Sequence, residues 1–131
     1  MDHAEAGALT GQVLDTVDAL AAAAQGMVDR GVAAHVILAF GKDGSVMAGR
    51  DLPHPVHAVA PYNTVVSAVG AGDSFVAGFT LAIARDAALD EALRMGVAAA
   101  SAAVETPATE LCRAEDVARI APLVRLAEIG V

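Results

Sequence analysis

Val69-Gly70-Ala71-Gly72-Asp73-Ser74-Phe75-Val76-Ala77-Gly78-Phe79 sets two glycines around one alanine, follows them with a carboxylate, and then runs apolar. The two glycines let the backbone turn sharply and approach a ligand without Cβ interference. The spacing predicts a helix over 73–85, with Phe75, Val76, Phe79 and Ile83 on one side. Amides of residues 70–73 then lie at the helix N-terminus, where unpaired N–H groups and the positive end of the dipole favour an anion. A fixed charge there is worth roughly 0.3–1 kcal/mol when exposed and about 2 when partly buried. Asp73 has two readings: it caps its own helix, or it is a general base beside amides that hold charge developing on a transferred phosphoryl group. Spacing alone does not choose, because G-x-G-D is short and the chain lacks the G-x-x-x-x-G-K-[ST] phosphate loop. Ser74 sits in no G-x-S-x-G elbow and has no evident His/Asp relay.

Upstream, Asp15 is placed to cap a helix whose apolar stripe is Val17, Leu20, Ala21, Ala24 and Val28, ended by Gly31. The charge-free run His35-Val36-Ile37-Leu38-Ala39-Phe40 predicts a short buried strand. Gly41-Lys42-Asp43-Gly44 turns the chain into a returning strand over 45–49. The proline-punctuated segment 51–62 reads as loop with one edge strand over 56–59. Downstream, Leu89, Leu93, Val97, Ala100 and Val104 space a second buried helix that Pro107 stops, and 115–120 reads as a short third helix. Helices packed on a sheet, class α/β, follow from this order.

A chain of 131 residues has room for one core. Sixteen acidic residues against eight basic ones, a net charge of −8, argue against nucleic-acid binding, which needs a basic footprint. Aromatics are only 3% of a chain that is 56% hydrophobic, so the core must be built from Ala, Val, Leu and Ile. The single Cys112 excludes an internal disulfide and a cysteine-rich zinc site, implies a reduced, cytoplasmic setting, and reads as a small buried hydrophobe. The start, Met1-Asp2-His3-Ala4-Glu5, carries no basic targeting region. The longest charge-free stretch, 52–72, holds three prolines, so no membrane span is expected. His3, His35, His54 and His57 read as surface residues rather than metal ligands.

The 69–79 string closely resembles the C-terminal signature of the ribokinase/PfkB family of sugar and sugar-phosphate kinases. Similarity continues through Leu89-Asp90-Glu91-Ala92-Leu93-Arg94 and Gly96-Val97-Ala98-Ala99-Ala100-Ser101-Ala102-Ala103. Thr109-Glu110-Leu111-Cys112 points to the phosphofructokinase and tagatose-6-phosphate kinase branch. Phe40-Gly41-Lys42-Asp43-Gly44 is similar to the family's S-L-G-x-x-G nucleotide turn, with Ala39 where Ser or Thr is usual. Glu5, followed by Ala8-Leu9-Thr10-Gly11, resembles the end of its N-x-x-E motif, with Asp2 in place of the Asn. In Thr106-Pro107-Ala108-Thr109-Glu110, Ala108 stands where the family has Gly, and Glu110 at a position often basic in this branch.

The resemblance implies that residues 1–131 are the C-terminal, nucleotide-binding and catalytic part of a PfkB-type kinase domain: a ribokinase-like, Rossmann-like three-layer α/β/α fold without its N-terminal half and lid. It implies ATP-dependent phosphoryl transfer to a sugar or sugar phosphate, a phosphorylated ketohexose such as fructose 6-phosphate foremost. Asp73 would be the general base and the Gly70, Ala71 and Gly72 amides the anion hole. Gly41 and Gly44 would border the nucleotide, with Val97, Ala100 and Ser101 near the adenine. Glu5 would act through water on Mg²⁺, or else be a plain exposed residue. A monovalent cation, K⁺, would sit near Ser67, Val69, Ala103, Thr106 and Ala108. The strand over 36–40 would have parallel neighbours in the family, so its apolar edge is expected to pair with another chain and give a homo-oligomer. The alternative is a non-catalytic remnant that binds nucleotide or a partner.

Overall fold

Asp2 and Glu5 start the first helix, α1 (His3–Thr10), by a reciprocal cap: the Asp2 carboxylate accepts the Glu5 N–H at 2.8 Å, and the Glu5 carboxylate accepts the Asp2 N–H at 2.9 Å. Two of the donors a helix start leaves open are thereby satisfied. The structure, a computed structural model, describes residues 1–108 and 110–130; Thr109 of the motif quoted above lies outside the described residues. The chain divides into two units: Met1–Ala58 with the chain from Leu126 onward, and Val59–Arg125.

In the first unit, α2 (Val17–Asp29) is capped by Thr16, whose hydroxyl accepts the Ala19 N–H at 3.1 Å. The expected cap, Asp15, lies one position too early, because Thr16 is the extended residue from which a side chain reaches the third helical amide. Leu20, Ala21, Ala24, Met27 and Val28 are buried, and the helix packs on strands β1 (His35–Ala39) and β2 (Ser45–Gly49). Gly31, at φ 74°, ends α2: its N–H bonds the Val28 carbonyl while that of Val32 bonds Met27.

β1 and β2 are antiparallel, with Val36 opposite Ala48 and Leu38 opposite Val46. A single 3-10 turn, Gly41–Asp43, joins them; Gly41 (φ 55°) and Gly44 (φ 90°) take backbone angles that a side chain would strain. β3 (Val56–Val59) pairs antiparallel with β2, and β4 (Arg125–Glu128) follows it, in the order β1-β2-β3-β4. One expectation is corrected here. β3 is interior rather than an edge strand, because β4, which the polar Arg125-Leu126-Ala127-Glu128 pattern concealed, lies beside it. β1 lies at the edge of the sheet, and its partner β2 returns antiparallel to it, since a four-residue turn can only reverse the chain. Its other side carries one parallel bridge, Asp2 to Ala39, and an Ala39 N–H bond to the Met1 carbonyl at 2.9 Å.

The second unit is helical: α3 (Ala71–Ala84), α4 (Leu89–Val104) and α5 (Ala114–Ile120). α3 and α4 approach closely because glycines face the contact. A Cβ on Gly78 would stand 2.8 Å from the Met95 carbonyl oxygen, and one on Gly96 would stand 3.0 Å from the Phe75 ring. Phe75 and Phe79 are half-buried and stack at 6.1 Å, whereas Val76 and Ile83, expected on the same buried side, are 61% and 39% exposed. α4 buries a broad stripe, Ala92, Leu93, Gly96, Val97, Ala99 and Ala103 among it. Arg94 ties it to the chain after α5, donating to the carbonyls of Ala121 at 3.2 Å and Val124 at 2.6 Å.

Candidate active site

Gly70, in the left-handed region at φ 86°, is the N-cap of α3, so Ala71, Gly72 and Asp73 form its first turn. α3 therefore begins two residues before the expected start, inside the glycine motif. Ala71's N–H points at the Ala68 carbonyl over a long 3.4 Å, while the amides of Gly70, Gly72 and Asp73 have no acceptor among the described residues. Nothing lies within 4 Å of a Cβ built on Gly72, so there is open space beside this residue. Asp73 is exposed, and among the described residues no hydrogen bond or ion pair engages its carboxylate. The capping reading of Asp73 loses its basis: the cap is Gly70, and the carboxylate makes no capping bond. An unengaged acceptor next to unengaged amides can take a proton while the amides hold an anion.

The loop leading into this turn is fastened to the end of α4. The Val104 carbonyl accepts the N–H groups of Val66 at 2.7 Å and Ser67 at 3.2 Å, and the Ser67 hydroxyl accepts the Val69 N–H at 3.2 Å. The Asn63 amide nitrogen donates to the Ser101 carbonyl (2.8 Å), the Ser101 hydroxyl (3.0 Å) and the Glu105 carboxylate (3.3 Å). Glu105 also pairs with Arg119 of α5 at 2.6 Å. Hydrogen bonding to Asp116, then the Glu105 charge, holds the Arg119 guanidinium above its usual range. The sequence reading missed Asn63, Glu105 and Arg119; an Asn ten residues before Asp73 carries no local signal of a bond to a helix 38 residues further on.

Among the residues expected near a monovalent cation, Ser67 and Val69 share this loop, and Ala103 and Thr106 stand at the end of α4. Ala103's carbonyl is already engaged, by the Thr106 hydroxyl at 2.8 Å and the Thr106 N–H at 3.1 Å. Thr106 is buried and Ala108 exposed. Of the expected adenine neighbours, Val97 is buried in α4, whereas Ala100 and Ser101 are half-buried. Gly41, Gly44 and Glu5 belong to the first unit. The nucleotide-type turn there is anchored by His57, which donates to the Asp43 carbonyl at 2.6 Å. His57 is thus a structural donor rather than a plain surface residue, and His35 likewise pairs with Asp51 at 2.6 Å. Glu5 has one carboxylate oxygen in the α1 cap, and among the described residues no group of three or more His, Cys, Asp or Glu is placed to hold a metal.

The pattern of the pfkB family carbohydrate kinases matches residues 1–116. The chain is 39% identical over 116 residues to the ATP-dependent 6-phosphofructokinase isozyme 2 of Escherichia coli, covering 88% of this chain and 37% of that protein. Its identity to the 1-phosphofructokinase of Bacillus subtilis is 32% over 128 residues, covering 98% of this chain and 41% of that one. The crystal structure of Escherichia coli phosphofructokinase-2 with substrates and products superposes with a TM-score of 0.84 at 36% identity, over 92% of this chain and 38% of that one. The chain thus spans about two fifths of the length of these relatives. A match over residues 1–116, with the glycine turn and Asp73 at the head of α3, means that the chain belongs to the pfkB family of carbohydrate kinases.

Proposed function

We propose that this chain carries the nucleotide-binding and catalytic part of an ATP-dependent kinase acting on a sugar or sugar phosphate, with a phosphorylated ketohexose such as fructose 6-phosphate as acceptor. The observation that carries the proposal is the unengaged Asp73 carboxylate beside the acceptor-free amides of Gly70, Gly72 and Asp73. In the reaction, the Asp73 carboxylate takes the proton of the attacking sugar hydroxyl. The new bond joins that oxygen to the γ-phosphorus as the bond to the ADP oxygen breaks, while the amides hold the charge on the transferring group. Ala71 contributes least to that cradle, because its N–H already points at Ala68.

Gly41 and Gly44 border the nucleotide in this reading, and Val97, Ala100 and Ser101 are proposed near its adenine. Glu5 would act on Mg²⁺ through water, with the carboxylate oxygen that the α1 cap leaves free. K⁺ is proposed near Ser67, Val69, Ala103, Thr106 and Ala108, as phosphofructokinase-2 of Escherichia coli has been solved with potassium. For the Ala103 carbonyl to ligate that ion, it must give up the Thr106 hydroxyl. A homo-oligomer is also proposed, since that same relative has been solved in a tetrameric form, its inhibited one.

The reading is tested by ADP release from Mg-ATP in the presence of fructose 6-phosphate, comparing the chain with Asp73→Asn. Turnover that Asp73→Asn removes, with Mg-ATP binding kept, supports the assignment; equal turnover in the variant removes Asp73 from the base role. Mg-ATP binding without turnover in the unaltered chain would favour the second reading, a nucleotide-binding module.

A further inference from the structure

We propose that Asn63 is a positioning residue for the glycine turn, holding the loop that supplies the anion-binding amides against the end of α4; the inference rests on the function proposed above. The Asn63 amide nitrogen meets three acceptors, and two of them, the Ser101 carbonyl and the Glu105 carboxylate, can only accept, which fixes the nitrogen on that side. The last carbonyls of a helix lack intrahelical donors. Here Asn63 takes that of Ser101, and the N–H groups of Val66 and Ser67 take that of Val104. The segment 63–67 therefore closes the C-terminus of α4 with its own donors. Three residues after Ser67 the chain turns at Gly70 into the first turn of α3, so the amides of Gly72 and Asp73 lie between this fastening and the body of α3.

A second link extends outward. Glu105 accepts from Asn63 with one oxygen and from Arg119 with the other, and Arg119 also reaches Asp116 at 3.3 Å. The fastening is thus braced by α5, while Ser101, proposed to stand near the adenine, is held through both its hydroxyl and its carbonyl. Loss of the Asn63 donor frees both ends of the arrangement: the loop before the phosphate-facing amides and the helix turn at the base.

Two variants separate donation from bulk. Asn63→Asp keeps the size but sets an acceptor against Ser101 and Glu105, whereas Asn63→Ala removes the group. Amide hydrogen exchange at Val66 and Ser67 should quicken about tenfold in both, and Mg-ATP affinity should fall about tenfold, the loss expected for one hydrogen bond. Exchange in the middle of α4 and in β2 should not change. Glu105→Gln, which keeps an acceptor for Asn63, should retain affinity within about twofold. Unchanged exchange at Val66 and Ser67 overturns the proposal, as does faster exchange there with unaltered Mg-ATP affinity. An unaltered chain that binds no Mg-ATP defeats the phosphate reading instead, and the exchange comparison then decides the fastening by itself.

Discussion

Gly70 and Gly72 stand two positions apart and should respond differently to a side chain. Gly72 has open space where a Cβ would go and needs no unusual φ, whereas Gly70 sits at φ 86°. Gly72→Val should therefore fold with nearly the native Tm while its side chain blocks the adjacent amides. Gly70→Val should lose about 1–2 kcal/mol of stability from the left-handed backbone alone, read by urea unfolding. Asp73→Asn should slow transfer by about 10²–10⁴-fold with Tm unchanged, the range for a lost general base. A fourth residue tests pH dependence. The hydrogen bond from His35, then its own backbone amide, holds the Asp51 carboxyl below its ordinary value. Its folded pKa lies below the unfolded one, so its contribution is present above the unfolded value and lost as pH falls through the folded one. Asp51→Asn should flatten the acid limb of a Tm-against-pH curve below about pH 4; a limb of unchanged slope would show that the pair contributes nothing.

At the scale of elements, the α3–α4 contact depends on two glycines with different neighbours. A Cβ at Gly78 meets backbone, the Met95 carbonyl at 2.8 Å, which cannot turn aside, while one at Gly96 meets the Phe75 ring, which can. Gly78→Ala should destabilise by about 1–3 kcal/mol and Gly96→Ala by less, both measured by chemical unfolding; the reverse order would contradict this account of the packing. The apolar periodicity of α2 and α4 and the turn glycines around β1 and β2 were legible in the sequence because each is a local pattern. The start of α1 is hidden in the sequence because the Asp2–Glu5 spacing fits the N-x-x-E motif as well as it fits a helix cap. β4 was hidden because a strand with polar ends that joins β3 across the chain has no alternation to reveal it. For the site, the glycine turn and Asp73 were legible from residue type and order. The Asn63–Glu105–Arg119 bracing was not, since its three residues are separated by 42 and 14 positions and meet only in the fold.

On the scale of the whole molecule, the second unit leaves Tyr62, Val65, Val66, Val69, Val76 and Leu81 between 50% and 77% exposed. Exposed apolar side chains on this scale mark an association surface where they adjoin, and the chain spans only about two fifths of its relatives' length. The homo-oligomer proposed above would cover part of this surface. Sedimentation velocity should show self-association that rises with concentration and weakens in Val76→Lys; a monomer at every concentration would contradict it. The central claim concerns the nucleotide, and it is tested most directly by calorimetric titration of Mg-ATP, with and without K⁺, into the chain and into Gly72→Val. Saturable binding by the former, lost in a Gly72→Val chain that keeps its fold, is the predicted result. A folded chain that binds no Mg-ATP, or a Gly72→Val chain that binds it equally well, would mean that the glycine turn and Asp73 do not form a phosphate site.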